Sequence, residues 1–146
     1  MLTDSIRFQI DSLEKDLLEW QRRFNLDPKD RLFVNYIFIS EKIKDKATLN
    51  LIPAIQEFQN IKFHYGDKYR TKDLNYHADA ALVACDFIKK ILKEIHTMYQ
   101  KQEEYERIRV TWKVNFPPLF QRIRHVRERL YILDKILVRE EAEKDL

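Results

Sequence analysis

Apolar residues recur along this chain at alternating steps of four and three. Ile6, Ile10, Leu13, Leu17, Trp20 and Phe24 do so first, then His77, Ala81, Ala84, Ile88, Ile91, Ile95 and Met98, then Ile123, Val126, Leu130, Leu133 and Leu137. A mean period of about 3.5 residues places each set on one side of an α-helix, as a seam that packs against another helix. The single glycine, Gly66, points the same way. Tight β-turns need residues at positive φ, and glycine is their usual supplier. The balance of 45% hydrophobic against 35% charged residues furnishes both faces of amphipathic helices. The expected fold is therefore all-α, a helical bundle of about five helices with one long central helix and heptad-like seams. At 146 residues the chain reads as a single helical domain, 1–146, with an acidic C-terminal end at 140–146.

Either Thr3 or Asp4 can cap the first helix. Asp27 and Pro28 suit the cap and first residue of a second helix, predicted from Pro28 to about Lys46. Leu32, Tyr36, Ile39 and Ile43 form its stripe, broadened by Phe33 and Ile37, although the run LFVNYIFIS also has strand propensity. A third helix is expected over Thr48 to Asn60, with Pro53 in its first turn and Leu51, Ile52, Ile55 and Phe58 inward. IKFHYGDKYRTKD reads as irregular.

The long helix follows, capped by Thr71 or Asp73. Asp79, Asp86, Lys89, Lys90 and Lys93 lie on its polar face, and its alanines invite a close neighbour. It is expected to run on through QKQEEYER, about 50 Å in all, so that one end protrudes or pairs with another subunit. Residues 107–116 allow two readings. Ile108, Val110, Trp112, Val114 and Phe116 alternate with polar residues, as in a half-buried strand, which would make the fold α+β. The preferred reading continues the helix to about Lys113 through Tyr105, Ile108 and Trp112. Asn115-Phe116-Pro117-Pro118 is expected to stop it, and a last helix to run from Leu119 to Glu143.

Little points to catalysis. The histidines at 64, 77, 96 and 125 lack metal-ligand spacing, and Cys85, the one cysteine, lies beside an apolar stripe as a small hydrophobe. One glycine cannot build a phosphate loop. No metal, no cofactor and no enzymatic activity are therefore expected. No apolar run approaches the ~20 residues of a membrane span, and the N-terminus lacks the apolar core of a signal peptide. A cytoplasmic protein is expected, or a nuclear one in a cell with a nucleus. The net charge of +3 permits an acidic partner without demanding one.

Three candidate functions remain. The first is interaction: seam length in surplus of one small domain suits an adaptor, inhibitor or assembly subunit that binds a protein partner and self-associates as a homo-oligomer. The second is nucleic-acid binding. Lys62, His64, Lys68, Arg70 and Lys72 interleave with Phe63, Tyr65 and Tyr69, offering cations to phosphates and rings to unpaired bases. A solvated surface with the rings folded inward is the plainer reading of the same residues. In RIRHVRER, Arg122 and Arg129 flank the apolar stripe while Arg124 and Arg127 lie far round. The third is hydrolytic. Arg70 and His77, with six residues between them, resemble the Arg-x(4–6)-His motif of the HEPN ribonucleases. That resemblance implies a helical dimer in which arginine stabilises a phosphate and histidine moves protons. His77 also falls on the apolar stripe, so a packed seam histidine is the other reading.

Overall fold

The first seam is realised at each described position. In the computed structural model, which describes residues 3–26, 36–65 and 72–144, helix α1 (Asp4–Leu26) buries Ile6, Ile10, Leu13, Leu17 and Trp20. Its charged residues face outward between them. Helix α2 (Tyr36–Lys46) buries Ile39 and Ile43, then passes through a π turn (Ala47–Leu51) into α3 (Ile52–Tyr65). Helices α4 (Lys72–Gln100) and α5 (Tyr105–Lys144) follow. The described residues are thus all-α, with no strand among them.

Cross-helix contacts fix the topology. Asn50 meets Gln9 and Lys46 meets Asp16, so the α2–α3 rod runs antiparallel to α1. Ser40 meets His96 and Lys62 meets Asp79, so α4 reverses again. His77 meets Arg129 and Tyr99 meets Trp112, which reverses α5. Arg127 meets Asp11 and Asp134 meets Arg7, which closes α5 back onto α1. The result is an up-down-up-down bundle of four rods, each beside its neighbours in the chain. One apolar core runs through them. Each fully buried Leu or Ile contributes about 1.5–3 kcal/mol, so the shared core dominates stability.

Several expectations change. Five helices become four rods because the second and third are continuous. The Ile52 N–H bonds back to Ala47 O, five residues earlier, and the wide turn accommodates Pro53, which has no N–H to give. The same turn carries the buried Asn50 against α1, where its amide donates to the Gln9 carbonyl and side chain. Ile61–Tyr65, expected to be irregular, completes α3. The long helix does not run through QKQEEYER. It ends at Gln100, where the Gln102 N–H donates to Tyr99 O and the Glu103 N–H to Met98 O, with Gln102 at φ 52°. That is a Schellman cap with glutamine in the left-handed position usually held by glycine.

Residues 107–116 are helical, so the strand alternative fails. Ile108, Trp112 and Phe116 are buried at helical spacing, while Val110 and Val114 face solvent. Nor does Asn115–Pro118 stop the helix: α5 starts at Tyr105, not Leu119, and passes through both prolines. The carbonyls that lose their donors belong to Lys113 and Val114, four residues back, and both residues are exposed. Water can serve those carbonyls, and the buried face keeps the rod intact. In the last seam, Ile123, Val126, Leu130, Leu133 and Leu137 are all buried as expected.

One end of the bundle is aromatic. Trp112 meets Trp20 edge-on at 5.3 Å and stacks on Phe116 at 5.1 Å, and its Nε1–H donates to Tyr99 Oη at 3.3 Å. Expectations resting on Asp27, Pro28, Leu32, Phe33, Gly66 and Thr71 lie outside the described residues.

Candidate functional site

Helix α4 carries two rows of apolar residues. The inner one is centred on Leu74, Ala78, Ala81, Cys85, Ile88, Leu92 and Tyr99, all fully buried. Burial pushes the Cys85 thiol up to about 12, so it stays protonated as packing. The second row is Tyr76, Ala80, Val83 and Phe87, at steps of four, three and four. At about 100° per residue these positions lie about a third to a half turn round from the inner row: Tyr76 and Phe87 reach arginines of α5, and Val83 faces directly away from the core. Tyr76 and Val83 are each 64% exposed, and Ala80 and Phe87 are half-buried.

Helix α5 lines the other wall of this outer groove with Arg122, His125 and Arg129, all half-buried. The Arg122 guanidinium lies over the Phe87 ring at 4.6 Å, and that of Arg129 over the Tyr76 ring at 5.4 Å. Arg129 also donates through Nη1 to His77 Nδ1 at 2.6 Å. A guanidinium has only donors, so His77 is neutral, with its proton on Nε2. Burial, reinforced by the Arg129 charge, lowers the pKa of His77, while Asp73 opposes the shift. No carboxylate pairs with Arg122 or Arg129 among the described residues, and Arg129 Nε is a buried donor without an acceptor there.

The other seams differ. Arg127 is gripped by Asp11 at 2.6 Å and by both Glu14 oxygens at 2.6 and 2.8 Å. The hydrogen bonds to Glu14 and Asp11 push its already high pKa higher still. Arg7 meets the buried Asp134 at 2.6 Å, and Asp134 also accepts from the Thr3 hydroxyl. A surface cleft of about 620 Å³ opens between α1 and α5. Most of its charges are paired with one another: Arg127 with Asp11 and Glu14, and Glu19, held down to about 2, with Arg22 and the neighbouring Arg23.

The basic segment named from the sequence is only partly gathered. Lys62 is committed to Asp79 at 2.5 Å. His64 is exposed beside Phe63, which is 83% exposed, and Tyr65 packs on the core edge. Lys68, Tyr69 and Arg70 lie outside the described residues, as does the side chain of Lys72. The Arg70–His77 pairing therefore cannot be placed, and the arginine that touches His77 is Arg129. In that contact Nδ1 is covered and Nε2 protonated, so the imidazole offers no lone pair to a substrate. Among the described residues, no three His, Cys, Asp or Glu side chains are placed to hold a metal ion. No helix there is long and apolar enough to cross a membrane.

In the sequence Ala80 counts as an edge of the His77–Met98 stripe, and Tyr76, Val83 and Phe87 go unremarked because they fall on the outward side of α4. The signal was present as a second run of four, three and four. No known protein family, curated protein or solved structure matches this chain.

Proposed function

We propose that this chain is a non-enzymatic interaction protein that docks a helix from another protein in the outer α4–α5 groove. One observation carries the reading: an exposed apolar row at heptad spacing runs beside arginines that pair with no carboxylate among the described residues. Heptad-spaced apolar residues on a solvent face are what a partner helix covers. Self-association is the alternative form of the same reading, with the helix coming from a second copy.

Val83→Glu tests it. The side chain is exposed, so the fold should stand, as helical content by circular dichroism would verify. Capture of partners from the native host should be lost, or the mass in solution should fall to that of a monomer. A wild-type chain that stays monomeric at high concentration, and whose captured proteins are unchanged by Val83→Glu, would remove the groove from consideration.

Nucleic-acid binding is the second reading, favoured by the exposure of Phe63 beside His64 at the end of α3. Titration of labelled single strands at several salt concentrations decides it. A steep salt slope, weakened in Phe63→Ala, supports it, and absence of binding at low salt ends it.

A further inference from the structure

We infer that the occupant of the α4–α5 groove is an acidic amphipathic helix of another protein, with carboxylates one heptad apart that meet Arg122 and Arg129. The inference rests on the docking reading above and adds the chemistry of the partner.

The two guanidiniums are the starting point. Arg122 and Arg129 are seven residues apart on one helix, hence on the same side and about 10.5 Å apart along the axis. Each is steadied by a ring of α4 rather than by an acid. Stacking occupies the face of a guanidinium and leaves the N–H groups at its edge. On Arg122 those donors have no acceptor among the described residues, and Arg129 spends one on His77. Half-buried donors of fixed orientation favour a bidentate acceptor, and carboxylates supply that geometry. A helix with Glu or Asp at heptad spacing repeats the 10.5 Å separation unstrained.

The outward row between Tyr76 and Phe87 sets the rest. Ala80 and Val83 are the smallest members of the row and lie at its middle, so a helix backbone can approach closest there. The larger Tyr76 and Phe87 bracket it. A matching partner places small or medium apolar residues opposite Ala80 and Val83 and its acids along the α5 side.

Single-stranded nucleic acid would use the same cations but needs open ring faces. Here each ring already carries a guanidinium on one face, and Tyr76 also meets the His77 ring edge-on at 5.2 Å. A second copy in a symmetric antiparallel pairing of the α4 faces would bring the arginine walls of both subunits together and leave them unneutralised.

The test uses the full chain and labelled synthetic helices of about 18 residues, five turns, with leucines at heptad spacing and two flanking positions seven apart. Those positions carry Glu, Gln or Lys in parallel peptides, read by fluorescence anisotropy at low salt. The Glu peptide should bind, the Gln peptide about tenfold more weakly, and the Lys peptide not measurably. Arg122→Gln should bring the affinity for the Glu peptide down toward that for the Gln peptide, with helical content unchanged. Equal binding of the Glu and Gln peptides, both lost in Val83→Glu, would overturn the acidic partner and leave the docking groove standing. No peptide binding at all would overturn the inference. So would a dimer that Val83→Glu dissociates, or RNA binding that Arg122→Gln weakens.

Discussion

On its α1 side, α5 presents Arg127 and Asp134, and α1 answers both with opposite charges or hydroxyls. On its α4 side, α5 presents Arg122, His125 and Arg129, and α4 answers with aromatic rings and a neutral imidazole. Both seams bury apolar rows of the same kind, so the difference is confined to their rims. The half-exposed pairs of Arg127 contribute little to folding, about 0–1 kcal/mol each, and only the buried Asp134 has more at stake. The polar rims thus say less about stability than about availability. Charges on the α1 side are spent within the bundle, whereas those on the α4 side can still be satisfied from outside.

Where the two seams meet, a single change should loosen both. Trp112 touches Trp20 of α1 and Tyr99 of α4, and Trp112→Ala should cost about 3–5 kcal/mol in urea unfolding. A loss below about 1 kcal/mol would mean that the aromatic cluster does not join them. On the α1 side alone, Asp134→Ala strands the buried Thr3 hydroxyl and one end of Arg7, and should cost about 1–3 kcal/mol. At the turn that starts the α4–α5 seam, Gln102→Gly should stabilise by about 1 kcal/mol, because glycine adopts positive φ without the steric penalty. Destabilisation there would contradict the cap geometry.

Smaller effects sharpen the contrast. His77 has a folded pKa below its ordinary 6.5 because of burial and Arg129. The unfolded chain therefore takes up a proton first as pH falls through 6.5, and stability declines on the acid side of that value. Wild type should show this slope in unfolding curves between pH 7 and about 5, and His77→Gln should flatten it. Smallest of all, Arg122→Gln should leave stability within about 0.5 kcal/mol. A larger loss would make the α4-side arginines structural after all.

Much of this was legible in the residues. The seams of α1 and the C-terminal half of α5 could be read directly, because long aliphatic side chains at heptad spacing have one way to be buried. The helical wheel rightly set Arg122 and Arg129 beside the apolar stripe and Arg124 away from it, but Arg127, expected far round, flanks the stripe on the α1 side and pairs with Asp11 and Glu14. What escaped depended on backbone geometry without a residue signature. The turn after Gln100 uses glutamine where glycine would announce it. Pro117 and Pro118 look like a stop until it is known that the carbonyls they deprive face water. The groove itself needed two helices: Tyr76 and Phe87 become half of a site only when α5 sets arginines over their rings.

Those two prolines also divide the longest rod. Neither has an amide proton, so the hydrogen-bond ladder of α5 lacks two consecutive rungs, and the buried Phe116 and Leu119 on either side reinforce the helix where it is thinnest. A helix joined in that way need not melt as one unit. The stretch up to Phe116, tied to the aromatic end, and the stretch from Leu119, which bears the groove arginines, can open and close on separate clocks. Amide exchange measured on either side of the prolines would show whether the stretch that carries Arg122 and Arg129 opens apart from the aromatic end.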